Sequence, residues 1–277
     1  MARPDARRRL IVNADDFGRS KSINDAVIRA HREGILTTAS LMVNEGACAE
    51  AVALAKQHPK LGVGLHLTLL CGHSALPHET IPGLVNDSGE FTNSPVSAGV
   101  KYFFCRKLRS QIEAEVAAQF ARFQATGLKL DHINGHLHIH LHPIVFSILM
   151  EHAGDWSIRH LRLTKDPFWL NAKLANGAWL YRASHAFIYH ALSARSRAPL
   201  INRGIKFTPF VFGLLQNARV NESFITELLP RLPEGDSELY SHPSLDEFKH
   251  EFDALVSPAV KQLVREQNID LIRYQDL

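Results

Sequence analysis

The chain reads as an α/β protein built on a parallel sheet or barrel. Two observations predict this. Short apolar runs alternate with amphipathic stretches along the whole length, the pattern of successive strand and helix units. The chemically capable side chains, an Asp-Asp pair and several histidines, fall where apolar runs end, and parallel α/β folds build their sites there.

The elements follow in order. Residues 10–14 (Leu-Ile-Val-Asn-Ala) form an apolar run leading into Asp15-Asp16, which predicts a buried strand. Gly18 turns the chain, and Ser20 or Ser22 caps a helix over about 23–33 that Gly34 ends. A second strand covers 39–43, and a helix over 47–57 stops before Pro59. Residues 61–69 are a third strand with His66 near its end. Residues 70–107 are rich in Pro, Gly, Ser and Asn and predict an irregular segment; loops this long in compact domains are usually functional or mobile. Residues 108–125 are an amphipathic helix followed by Gly127. A strand over 130–134 runs into the histidine cluster, and Pro143 opens a helix to about 152. Residues 159–163 predict another strand. In 166–220, Phe168, Trp169, Trp179, Tyr181, Phe187 and Tyr189 are interleaved with arginines and small residues, and only a helix over about 178–194 is expected. A strand over 237–241 delivers His242, residues 245–267 are helical with a break at Pro258, and 269–274 is the last strand. The expected organisation is one domain over 1–277, with irregular insertions near 70–107 and 166–220.

Composition excludes several classes. The chain has 277 residues, 45% hydrophobic and 21% charged, which is ordinary globular composition. A net charge of +3 does not imply nucleic acid as a partner. Three scattered cysteines without CxxC spacing argue against a disulfide scaffold and suit a reducing cytoplasm. The basic N-terminus lacks the apolar core of a signal peptide, and no run of 18 apolar residues predicts a transmembrane helix. GxSxG, Walker and GxGxxG motifs are absent.

Histidine is the unusual component. Five of the sixteen (His132, His136, His138, His140, His142) lie within eleven residues, where uniform scatter would leave roughly 0.6. Alternation at period two predicts an extended segment with 136, 138, 140 and 142 on one face. Residues two apart on a strand are nearly ~7 Å apart, so they cannot all share one ion. The expectation is therefore that His136 binds metal, that His138 and His140 orient ligands or contact substrate, and that His142 has the weakest claim. Asp15 and Asp16 can face one pocket only where their strand stops. The pair reads as one carboxylate on a metal and one as a base, or, more blandly, as a helix cap beside a surface acid. His66 alone is a satisfied buried histidine; at a third strand end it becomes a candidate. His242, held extended before Pro243, has the same character. Arg162 sits in a strand, where a buried charge requires a partner.

Taken together, Val12-Asn13-Ala14-Asp15-Asp16-Phe17-Gly18, Gly64-Leu65-His66, His136-x-His138-x-His140 and Glu238-Leu239-Tyr240-Ser241-His242-Pro243 resemble the signature blocks of the YdjC-like carbohydrate deacetylases. They span nearly the whole chain in the family's order. Asn134-Gly135-His136 departs from the family's more usual Asp-Ser-His. It looks closer to the HpnK branch found with hopanoid biosynthesis, as does Arg162-Leu163-Thr164-Lys165-Asp166-Pro167.

The resemblance implies a distorted (β/α) barrel like that of polysaccharide deacetylases. It also implies one divalent metal ion, with Zn, Mg, Mn, Co and Ni left open, and removal of an N-acetyl group from an acetylated amino sugar. By motif position, Asp16, His66 and His136 would be metal ligands, Asp15 the general base and His242 the general acid. His138, His140 and Arg162 would bind substrate or support the ligands. In the HpnK branch the sugar would be an N-acetylglucosaminyl hopanoid, met by a cytoplasmic protein through peripheral contact with the inner membrane. Segments 70–107 and 166–220 would then flank the mouth. Soluble chito-oligosaccharides, a phosphoester substrate and a non-catalytic metal- or lipid-binding role remain as alternatives. The oligomeric state stays open, a homodimer included.

Overall fold

The computed structural model describes residues 7–174, 177, 179–216 and 218–277. The apolar run at 10–14 is the centre of a longer strand, β1 (Arg8–Phe17), buried from Leu10 onward. Helix α1 (Lys21–Glu33) starts at Ser20, whose hydroxyl accepts the Ile23 N–H. Strand β2 (Thr38–Leu41), helix α2 (Cys48–Gln57) and strand β3 (Gly62–Leu67) follow within a few residues of expectation. The segment 70–107 is not irregular throughout. Pro95 opens a helix, α3 (Pro95–Phe104), with proline in its first turn, where the missing N–H costs no hydrogen bond. Helix α4 (Arg109–Ala125), strand β4 (Leu130–Gly135) and helix α5 (Pro143–Glu151) come next.

The second insertion also holds more order than its composition suggested. It contains α6 (Phe168–Leu174), α7 (Trp179–Asn202) and the short strand β5 (Phe210–Phe212). The predicted start of α7 at Ala178 lies outside the described residues, as do residues 1–6. Helix α8 (Glu222–Leu228) precedes β6 (Gly235–Ser241), which ends one residue before His242. The break at Pro258 is real. α9 (Lys249–Val256) stops there, and α10 (Pro258–Glu266) begins with Ser257 accepting the Val260 N–H. Strand β7 (Ile269–Ile272) closes the order.

All strand pairs are parallel, in the order β4-β3-β2-β1-β6-β5. β6 pairs with β1 from Arg8 to Ala14, while the other edge of β1 is shared, first by β7 and then by β2. The strand expected at 159–163 is present only as single bridges, Ile133 with Leu161 and His160 with Lys206. Its partner on the far side is little more than Lys206, so no ladder can grow there. The segment still does architectural work. Arg162 N–H donates to Ile133 at the β4 edge, and the Lys165 carbonyl accepts from Val211 in β5. The sheet is thus a curled parallel half-barrel whose open side this segment crosses. Among the described residues, no helix is long and apolar enough to cross a membrane.

Candidate metal centre

The two acids reach one cavity by a route the pattern did not reveal. β1 does not stop at Ala14; its pairing with β2 slips between Ala14 and Phe17, and Asp16 adopts φ +64. In a regular strand neighbouring side chains point apart. The bulge cancels that alternation at a cost of about 1 kcal/mol for a left-handed non-glycine residue. Both carboxylates then line the same cavity, of about 520 Å³, at the C-terminal ends of the strands.

Asp16 meets two histidines there. Its Oδ1 lies 3.0 Å from His136 Nδ1 and 3.3 Å from His66 Nε2. One ligand atom from each of the three residues falls within 4.8 Å of the others, and all three residues are buried. Burial opposes charge on Asp16, but the two imidazoles outweigh it and hold the carboxyl well below its ordinary range. Burial likewise disfavours a charged His66, yet Asp15 and Asp16 raise its pKa. His66 and Asn134 are paired residues on β3 and β4, and Asn134 Oδ1 lies 2.7 Å from His66 Nδ1. That contact leaves Nε2 facing Asp16. Two imidazole nitrogens and one carboxylate oxygen converging from three strand ends suit a divalent ion of the Zn, Mn, Fe, Co or Ni type.

Asp15 sits beside this cluster in a different environment. Its Oδ1 accepts from Asn13 Nδ2 at 2.8 Å, Asn134 Nδ2 at 3.0 Å and Arg162 Nη2 at 3.0 Å. Its Oδ2 accepts from Arg162 Nη1 at 2.8 Å. Burial would raise its pKa; the Arg162 guanidinium wins and keeps Asp15 ionised well below the usual carboxylate range. Arg162 is fully buried and is shared with Glu238, whose Oε1 accepts from Nε at 2.9 Å and Nη2 at 2.6 Å. Tyr274 donates its hydroxyl to the other Glu238 oxygen. The buried cation thus has both carboxylate partners its burial requires.

The histidine cluster is not extended. Residues 136–141 form a tight helical turn in which Leu137 (φ 47) and His138 (φ 60) are left-handed. The chain doubles back over Gly135, where a Cβ would stand 3.1 Å from the His140 nitrogen. The four side chains consequently scatter. His136 reaches Asp16. His138 lines the cavity, its ring edge-on to Tyr189 and Tyr240. His140 Nε2 bonds the Arg162 carbonyl at 2.9 Å, and His142 caps α5 through Ile144 N–H. Burial keeps His138 neutral and pushes His140 down to about 3. His242 is half-buried and lines the cavity with Asp15 and Asp16; its backbone N–H donates to Glu251.

Asn13, Ser40 and Glu238 were missed by pattern reasoning. Glu238 had a signal, a charge inside an apolar strand, which is the argument that singled out Arg162. Asn13, an amide inside the apolar run 10–14, carried a weaker form of the same signal, and Ser40 had none.

Fold and site together define a parallel α/β half-barrel with an Asp-His-His cluster at its strand ends. The chain belongs to the YdjC-like protein family, whose profile matches residues 9–266. It is 32% identical over 273 residues to a carbohydrate deacetylase of Brevibacillus brevis, covering 97% of this chain and 99% of that one. It is 30% identical over 278 residues to a carbohydrate deacetylase of Clostridium beijerinckii, covering 97% and 100%. A solved structure from Enterococcus faecalis superposes with TM-score 0.72 at 22% identity, covering 98% of each chain. An Agrobacterium tumefaciens structure does so at 0.52 and 11% identity, covering 96% of this chain and 87% of that one. Both structural likenesses speak to the fold alone.

Proposed function

We propose that this protein is a metal-dependent hydrolase that removes the acetyl group from an N-acetylated amino sugar. The observation that carries the reading is the arrangement around Asp15. Its Oδ1 is saturated by three N–H groups, while Oδ2 accepts only from Arg162 among the described residues, and Asp15 lines the cavity beside Asp16, His66 and His136. The family, with relatives named carbohydrate deacetylase along its whole length, supports the substrate class.

Asp16, His66 and His136 would hold the ion. When bound, a divalent ion supplies Lewis acidity, polarising a carbonyl and making water a better nucleophile at neutral pH. Asp15 Oδ2 takes the proton of the attacking water. Arg162 holds that carboxylate ionised and fixes its plane with two parallel hydrogen bonds. His242, which lines the same cavity, protonates the departing amine. A metal store would have no use for Asp15.

The finer reading is a lipid-linked sugar, the N-acetylglucosaminyl hopanoid of the HpnK branch. Pro95, Leu137, Ile188 and Leu192 line the cavity, and Phe104, Leu180 and Phe187 are exposed on α3 and α7. Residues 91–112 and 167–221 contain four and seven Lys or Arg and no Asp or Glu. Exposed apolar side chains on two segments that carry basic and no acidic residues suit an aglycone presented at an anionic bilayer surface. The test is acetate release by metal-depleted protein reloaded with each ion, on soluble and hopanoid-linked N-acetylglucosamine side by side. Release by loaded protein, faster on the lipid-linked sugar, is expected. No release from any N-acetyl sugar refutes the deacetylase; equal rates on soluble chito-oligosaccharide refute the lipid preference.

A further inference from the structure

Behind the Asp-His-His cluster lies a second constellation that the reaction does not use. Ser40 Oγ is 2.9 Å from His132 Nε2, and His132 Nδ1 is 3.0 Å from Asp131 Oδ2. The order of groups is that of a nucleophilic triad, but Ser40 and His132 are fully buried and no substrate reaches the hydroxyl. The fold makes deliberate room for it. His132 lies across Gly64 of β3, where a Cβ would stand 2.6 Å from the imidazole, and Tyr274 stacks on the ring at 4.5 Å.

Counting donors and acceptors shows what it does. Ser40 Oγ accepts from Asn134 Nδ2 at 2.8 Å and from Asn13 Nδ2 at 3.0 Å. Both lone pairs are then used, and its single proton goes to His132 Nε2 at 2.9 Å in preference to Asn13 Oδ1 at 3.4 Å. A neutral His132 accepting at Nε2 carries its proton on Nδ1 and gives it to the Asp131 carboxylate. A serine alone would tolerate either face of an amide, since it can donate or accept. Asp131 and His132 remove that freedom. They make the Ser40 oxygen a pure acceptor towards Asn134, as ionised Asp15 Oδ1 already is at 3.0 Å. The Asn134 amide must then present its NH2 to both and its oxygen to His66 Nδ1, 2.7 Å away. An oxygen there requires a proton on His66 Nδ1 and leaves Nε2 as the nitrogen on the side of Asp16.

We infer that Asp131, His132 and Ser40 are positioning residues: acting through Asn134, they set which nitrogen of His66 carries the proton and so present Nε2 to the metal. The metal half of this rests on His66 being a ligand, as proposed above; the tautomer half does not. Partners of this kind around metal-bound histidines shift affinity by roughly 10–100-fold.

The experiment reads the His66 tautomer directly, from imidazole 15N shifts of the metal-free protein at about pH 8, and Co2+ affinity separately. Wild type is expected to show His66 Nδ1 protonated throughout, whichever charge the ring carries beside Asp16. Ser40→Ala and Asp131→Asn should each leave the Asn134 amide oriented by Asp15 alone, admit a minor second His66 tautomer and weaken Co2+ binding about tenfold. Ser241→Ala is the control. It deletes an equally buried hydroxyl bond, to the Asn13 backbone carbonyl at 3.2 Å, that bears on no side chain of the relay. His66 should keep one tautomer there. A single unchanged His66 tautomer in both Ser40→Ala and Asp131→Asn overturns the relay, as does an equal disturbance in Ser241→Ala. Co2+ affinity unaltered in His66→Ala would instead overturn the ligand reading and leave the tautomer result standing.

Discussion

At the scale of single residues, two carboxylates one position apart are given opposite work by their surroundings. Asp16 faces imidazoles and Asp15 faces a guanidinium. Asp15→Asn should therefore retain metal, because Asp16, His66 and His136 are untouched, and lose at least ~100-fold in kcat, the usual scale of a lost general base. Near-normal turnover with full metal content removes Asp15 from that role. His136→Ala should do the reverse and release metal, read as moles of ion per mole of protein. Arg162 tests the electrostatics. It lowers the Asp15 pKa, and the base must be ionised to act, so the wild-type acid limb of kcat/KM belongs below the ordinary carboxylate range. Arg162→Lys breaks the paired hydrogen bonds, raises the Asp15 pKa and should move that limb to higher pH. A stationary limb assigns it to another group. Arg162→Met leaves Asp15 and Glu238 buried without their cation and should cost roughly 3–5 kcal/mol in urea unfolding. Arg162 itself was legible, because a charge in an apolar strand requires a partner. Its actual partners were not, since they stand 147 and 76 positions away in sequence.

At the scale of elements, spacing and geometry part company at the histidine cluster. Period-two histidines spell a strand, yet residues 136–141 turn, because β4 ends at Gly135 and the chain folds back over it. A local pattern cannot announce two consecutive left-handed residues of which neither is glycine. The argument that these histidines cannot share one ion rests on distance and not on the extended geometry; of the four, His136 alone joins Asp16 and His66 among the described residues. Leu137 is half-exposed and left-handed, so Leu137→Gly should relieve about 1 kcal/mol of backbone strain and leave thermal stability unchanged or higher. A clear loss of stability would show that the side chain packs more than its exposure suggests. Asp166 is a second element-level device. Its carboxylate accepts from Leu215 N–H at 3.1 Å and from Asn171, tying α6 to the chain leaving β5. Burial pushes its pKa from 3.8 up to about 7. The native state then binds more protons than the unfolded chain between those values. The stability of the neutral form is complete below pH 3.8 and is lost as pH rises through about 7. Asp166→Asn should flatten the fall in melting temperature across that window; an unchanged slope would acquit Asp166.

At the scale of the whole molecule, the strand–helix order was readable because each unit carries its own apolar period and caps. Barrel curvature was not, because it depends on pairings between segments far apart. β1 bonds β2 on one edge, β6 on the other, and β7 along its first half. The first strand therefore joins elements from the front and the back of the chain, and no cut divides the sheet into two independent layers. We propose that the described chain unfolds as one unit, with segments 70–107 and 166–220 as parts of it. Circular dichroism and tryptophan fluorescence should then report coincident urea transitions. Trp156 lies beside α5, whereas Trp169 and Trp179 lie in the second insertion, so the two probes would separate if that insertion melted alone. The same experiment weighs the metal centre, because an ion that binds only the folded state stabilises it by mass action. Loading with ion at a hundred times its dissociation constant should add about 2.7 kcal/mol, a rise of several degrees. His136→Ala should unfold in one step at nearly the metal-free temperature whether or not ion is present. Two separated transitions would defeat the single unit. A metal-dependent rise that persists in His136→Ala would place the ion elsewhere.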